Sequence, residues 1–125
     1  MNVPTTHFYI VDDDTSFCKS LKRLLNARGF SADCFGSAQS FLDSVPSDQR
    51  GYTIVDIHMP DCDGFALMEK MHEMNYHMPV IIITGQPLAD NRDTALEKGA
   101  LGFLQKPFSE DSLLELVRQD MNGSN

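Results

Sequence analysis

Short apolar runs of strand length alternate with helically spaced apolar positions along the whole chain, and few folds accept that order. The most constraining run is Pro79–Thr84, which is β-branched and apolar on both faces. Burial on both faces places such a strand inside a parallel sheet covered by helices. Phe8–Val11, Ala32–Phe35, Tyr52–Ile57 and Leu101–Gln105 read as four further strands. Between them, Thr15–Arg28 carries Phe17, Leu21, Leu24 and Leu25 at helical spacing, with Gly29 as a stop. Ser37 is an N-cap for a helix bearing Ala38, Phe41, Leu42 and Val45, ended by Pro46. Phe65–Met74 repeats the spacing through Phe65, Met68 and Met71, whereas Leu88–Lys98 is a poor amphipath. After a cap at Ser109, the last helix presents Leu113, Leu114, Leu116 and Val117, with Glu110 and Asp111 in the first turn where they suit the helix dipole. Short connections and right-handed crossovers turn this order into (βα)5, an open, doubly wound parallel sheet. A length of 125 residues allows one domain. It is expected to span 1–125, with its core at about 7–121 and Asn122 to Asn125 as a frayed tail or linker.

In such a sheet, ligands bind beyond the carboxyl ends of the strands. The chemically suggestive residues fall there: Asp12, Asp13 and Asp14 after the first strand, Asp56 at the end of the third, Thr84 at the end of the fourth and Lys106 after the fifth. Converging carboxylates repel one another and call for a cation, and Mg²⁺ suits oxygen ligands. Singly, each residue has a bland reading. The acidic run can be a helix N-cap with favourable dipole charge. Thr84 can be an ordinary strand end, and Lys106 a solvated charge. Asp56 is harder to dismiss, because burying a carboxylate without a partner is costly. Gly64, inside the turn-rich stretch His58–Gly64, reads as a turn residue with positive φ.

The net charge of −8 argues against direct nucleic-acid binding by this segment, which would need clustered Lys and Arg. Its longest unbroken apolar stretch, Val80 to Ile83, is far too short to cross a membrane. Three cysteines without metal-type spacing, and a polar start lacking a basic segment, fit reduced thiols in the cytoplasm.

Taken together, Ile10-Val11-Asp12-Asp13-Asp14, Val55-Asp56-Ile57-His58-Met59-Pro60-Asp61-Cys62-Asp63-Gly64, Ile83-Thr84-Gly85 and Lys106-Pro107-Phe108 resemble the receiver domains of two-component response regulators, from about Phe8 to Met121. The resemblance implies a flavodoxin-like sheet of order 2-1-3-4-5. It implies that Asp56 takes a phosphoryl group from a sensor histidine kinase or phosphotransfer protein. Asp12, Asp13, Asp56 and the backbone carbonyl of His58 would hold Mg²⁺. Thr84 and Lys106 would meet the phosphoryl oxygens, and Thr84 and Phe103 would switch the face built from the fourth helix, fifth strand and fifth helix. Asp14 would turn away into the start of the first helix, Gln86 and His58 would tune phosphate lifetime, and Lys106-Pro107 would be cis. Gly102, where the family often has an acidic or polar residue, would loosen the fifth strand.

The Ile-Thr-Gly and Lys-Pro-Phe motifs also resemble regulators that carry a C-terminal helix-turn-helix, DNA-binding output domain. The reading is compatible with a phosphorylation-dependent dimer. Such a module catalyses its own phosphorylation and dephosphorylation without being a turnover enzyme. The alternative is a Mg²⁺-dependent phosphohydrolase with an aspartyl nucleophile. Those enzymes commonly place a second carboxylate two positions after the nucleophile, where this chain has His58.

Overall fold

The computed structural model describes residues 6–85 and 91–123. Five strands, β1 (His7–Val11), β2 (Ser31–Phe35), β3 (Tyr52–Asp56), β4 (Val80–Thr84) and β5 (Gly102–Gln105), form one parallel sheet in the order β2-β1-β3-β4-β5. Five helices connect and follow them: α1 (Thr15–Ala27), α2 (Ala38–Ser44), α3 (Gly64–Glu73), α4 (Asn91–Glu97) and α5 (Glu110–Gly123).

Period-2 alternation divides the core in two. Phe8, Ile10, Ile54, Ile81 and Ile83 pack with Leu21, Leu25, Leu113 and Val117 of α1 and α5. Their strand neighbours Tyr9, Val11, Val55, Val80 and Ile82 face Phe41, Leu67, Met71 and Ala95 of α2, α3 and α4. All five residues of β3 and of β4 are buried, the two-sided burial expected of central strands.

Several boundaries and roles differ from the sequence reading. Leu24 is half-exposed, and Cys18 takes its place with Leu21 and Leu25 on the buried face of α1. A thiol behaves there as a small hydrophobe, so its type concealed its position. The helix α4 comprises Asn91–Glu97; the expected start at Leu88, and Gln86, lie outside the described residues. Asn122 and Gly123, expected in the tail, continue α5. Gly102 does not leave a gap in β5. A Cβ there would lie 2.5 Å from Leu116 Cδ1, so the α5 leucine already fills the space.

The helix ends are specified locally. Asp14 caps α1 by accepting from the Phe17 N–H at 3.0 Å, and Ser37 caps α2 through the Ser40 N–H at 3.1 Å. At the end of α3, Asn75 adopts φ 65°, letting its N–H reach the His72 carbonyl and that of Tyr76 the Met71 carbonyl. Asp14→Ala should therefore cost about 1 kcal/mol. Urea denaturation would measure the loss, with acyl-phosphate formation unchanged.

Candidate functional site

A parallel sheet brings every strand's carboxyl end to one edge. The chain runs outward from β1 to β2, then returns to β3 on β1's other side, so a crevice opens between β1 and β3. Asp12 and Asp13 leave β1 there, and Asp56 ends β3. One carboxylate oxygen from each of the three lies within 4.8 Å of the others. Asp12 is 1% exposed and Asp56 6%, while Asp13 faces solvent.

Local backbone geometry aims these groups. The Asp12 N–H is bonded to the Phe35 carbonyl at 2.9 Å, fixing the β1 exit against the end of β2. Asp12 Oδ1 accepts from the Asp14 N–H at 2.9 Å, and Asp56 Oδ1 from the His58 N–H at 2.9 Å. Each acid thus closes a turn over the two residues that follow it. The other oxygen of each remains turned toward Lys106, whose Nζ lies 2.5 Å from Asp12 Oδ2 and 3.0 Å from Asp56 Oδ2. The contact to Asp12 is a close ion pair. Asp12 Oδ2 is therefore buried with the Lys106 ammonium against it.

These surroundings raise both pKa values, which disfavours the Asp12 charge and favours that of Lys106. Burial raises the Asp12 pKa, aided by the Asp56 charge and opposed by bonds from Lys106 and the Asp14 N–H. For Lys106, burial favours the neutral amine, but the carboxylates of Asp12 and Asp56 outweigh it and the net shift is upward. The lysine remains an ammonium.

Lys106 has a third neighbour. Its Nζ sits 4.2 Å from the centroid of the Phe17 ring, which meets Phe108 edge-on at 5.9 Å. Cation–π attraction of this kind is worth about 0.5–2 kcal/mol. Helical spacing alone makes Phe17 a core residue. Its place four residues after Asp13, on the first turn of α1, was the available signal.

Thr84 closes β4, fully buried, and its carbonyl accepts the Lys106 N–H at 2.8 Å. The Lys106–Pro107 peptide is cis. Phe103 is buried in β5 beside Ile82, with the Arg92 guanidinium 5.3 Å above its ring. The structure therefore gathers Asp12, Asp13, Asp56, Thr84 and Lys106 at one edge and leaves Phe103 deeper along β5. The His58 side chain is exposed.

Asp61, in the loop after β3, and Gly64, which opens α3, have structural roles beyond those their local sequence suggests. Asp61 accepts the Ala38 N–H at 3.2 Å and the Gln39 N–H at 3.0 Å, strapping the loop to the start of α2. Slight burial raises its pKa, but those N–H bonds outweigh it and hold the carboxyl below its usual range. No pattern within a single segment could reveal a partner more than twenty residues away. Gly64 does not have the expected positive φ; among the described glycines that conformation belongs to Gly29, Gly51 and Gly99. Glycine is needed at 64 because a Cβ would lie 2.8 Å from the Asp56 carbonyl oxygen and 3.1 Å from Ile57 Cα.

Residues 8–118 match the family model for the response regulator receiver domain. The chain belongs to that family. It is 36% identical over 111 residues to the transcriptional regulatory protein FixJ of Bradyrhizobium diazoefficiens, covering 89% of this chain and 54% of that protein. It is 35% identical to the response regulator protein TmoT of Ectopseudomonas mendocina, covering 94% of this chain and 54% of that one. This receiver thus spans about half the length of the curated relatives it matches. The crystal structure of a CheY-like receiver domain protein from Methanospirillum hungatei is also similar, with TM-score 0.85, 28% identity and 96% of each chain covered. Among the described residues, no helix is long and apolar enough to cross a membrane.

Proposed function

We propose that this receiver is a phosphorylation-operated switch in which Asp56 accepts a phosphoryl group. The observation that carries the reading is a buried carboxylate on Asp56, held by the His58 N–H and bonded to Lys106, beside the carboxylates of Asp12 and Asp13. One Asp56 oxygen attacks phosphorus as the nucleophile and an acyl phosphate results, while the donor's leaving group departs with the electrons of the broken bond. Phosphoryl transfer gathers negative charge on the transferred oxygens, so positioned positive charge dominates catalysis. Lys106 supplies an ammonium that turns from Asp56 to a phosphoryl oxygen, and the Thr84 hydroxyl serves another.

The residues fit a hard divalent cation. Three carboxylates converge, and the Lys106 ammonium offsets one of their three charges. Asp12, Asp13, Asp56 and the His58 carbonyl would hold Mg²⁺, which when bound offsets the charge of the acids and of the incoming phosphoryl group. At a hundredfold excess over Kd, the ion should stabilise the fold by about 2.7 kcal/mol. Thermal unfolding with and without Mg²⁺ measures the gain, and Asp13→Asn should remove most of it.

The raised Asp12 pKa gives this a pH dependence. In chelator, the folded protein binds a proton that the unfolded chain releases, so the group's contribution to stability falls as pH rises from its ordinary value, near 3.8, through the raised one. Protons and Mg²⁺ compete for the same oxygens. Cation affinity should therefore weaken on acidification sooner than for an ordinary aspartate.

The donor would be a sensor histidine kinase or phosphotransfer protein in the cytoplasm. The output would pass through α4, β5 and α5 to a partner or a DNA-binding domain, with a phosphorylation-dependent dimer as one form. Phosphorylation would draw Thr84 toward the phosphate and favour the inward position of Phe103, the one it occupies in this structure. The receiver would catalyse its own phosphorylation and hydrolysis without turning over a separate substrate. Acetyl phosphate tests the reading. Intact mass should rise by one phosphoryl group only with Mg²⁺ present. An unchanged mass would sink the proposal, and steady hydrolysis of small phosphate esters would replace it with a phosphohydrolase.

A further inference from the structure

The cysteines have no metal-type spacing, but the fold brings two of them together. Cys18 lies on the face of α1 turned toward the sheet and is 3% exposed. Its thiol donates to the Asp12 carbonyl at 3.4 Å. The Asp12 N–H is in turn bonded to the carbonyl of Phe35, the residue after Cys34, so Cys18 and the end of β2 meet at the same point of β1. Cys34 is the register partner of Ile10, and alternation puts it on the face of β2 shared with Ala32, the face that α1 covers. In keeping with that placement, Cys34 is, after burial, the largest influence holding the Cys18 thiol protonated. Cys34 itself is exposed.

We propose that Cys18 and Cys34 form an oxidisable pair that closes to an intramolecular disulfide between α1 and β2, with a hydroperoxide as oxidant. Cys34 meets the oxidant because it is the exposed member. Its sulfur attacks the peroxide O–O bond, forming a sulfenic acid, and the thiol proton leaves with the displaced oxygen as water or alcohol. The Cys18 sulfur then displaces the sulfenic hydroxyl, which departs with the Cys18 proton as water. Two thiols are oxidised and one peroxide is reduced. Cys62 is a spectator, since it packs against the opposite core and its thiol is turned to the Asp63 carbonyl at 3.4 Å. Closure removes the hydrogen that Cys18 gives to Asp12, so oxidation reaches the turn carrying Asp12 and Asp13.

The pair itself is independent of the phosphoacceptor reading. The folded protein is exposed to hydrogen peroxide, quenched, unfolded and alkylated, and the peptides are mass-mapped. In the wild type, two of the three thiols should escape alkylation as a Cys18–Cys34 peptide, in a chain that stays monomeric. Cys34→Ser should leave Cys18 and Cys62 fully alkylated, and Cys62→Ser should still close the disulfide. Three alkylated thiols after treatment would overturn the pair. So would loss of Cys34 alone to sulfinic acid, or chains cross-linked through Cys34. Because Cys34 is exposed, Cys34→Ser tests the pairing without disturbing the core.

Discussion

Asp56→Asn is expected to eliminate acyl-phosphate formation from acetyl phosphate. The substitution preserves the side chain's shape and leaves an acceptor for the His58 N–H, so the fold survives. It removes the anionic oxygen proposed to attack phosphorus, and the neighbouring carboxylates are placed differently. Asp12 is committed to the Asp14 N–H and Lys106, and Asp13 faces solvent. The expected mass spectrum is that of the unmodified chain at every Mg²⁺ concentration. Residual labelling at the wild-type rate would move the nucleophile elsewhere. The variant should also show a smaller Mg²⁺-induced rise in melting temperature, because one of three converging carboxylates has lost its charge. Lys106→Ala distinguishes nucleophile from electrostatic partner: it should slow labelling severely while leaving Asp56 able to react.

Gly64→Ala should be among the most damaging one-carbon changes in the protein. Alanine is normally the better helix residue, and Gly64 opens α3 without a positive φ, so local preference alone predicts a small gain. The contacts predict the reverse. The added Cβ would meet the Asp56 carbonyl oxygen, Ile57 Cα and Val55 Cγ1 within 2.8–3.1 Å, and two of these are backbone atoms of a central strand and its exit that cannot rotate away. A cost of about 1–3 kcal/mol is expected, as for other overpacked cores. Because relief must come from moving α3 off the end of β3, labelling of Asp56 should slow as well. Urea midpoints and labelling rates together check this; a variant as stable and as reactive as wild type would refute the close approach.

The architecture was readable because periodicity and strand-end chemistry are local. The apolar run ending in Thr84 specified a central strand, and the acids at the ends of β1 and β3 had to converge once the sheet was parallel. The family motifs then assembled Asp12, Asp13, Asp56, Thr84 and Lys106 into one site. What escaped depends on partners distant in sequence. The Asp61 strap to α2, Leu116 filling the space beside Gly102, and the Phe17 ring beneath Lys106 each join separate segments. Gly64 shows the same limit: its residue type announced a constraint, but whether φ or close packing imposed it required the neighbouring chain. Cys18 was passed over because a thiol does not advertise burial as leucine does.

Lys106 lies between two acids, and this has a consequence for ion selectivity. Asp12, Asp13 and Asp56 carry three formal negative charges, and the tethered ammonium already returns one. The resting pocket is thus partly occupied by a monovalent ion that the chain supplies itself. A sodium or potassium ion offers nothing that the lysine does not, and unlike the lysine it must give up translational freedom to enter. On the proposed reading, a divalent ion would bring the four groups to neutrality and leave the ammonium able to turn to the phosphoryl oxygens. On this view the site works as an ion exchanger with a captive competitor, and discrimination against the abundant monovalent salts of the cell arises from charge balance before cavity size has any part in it.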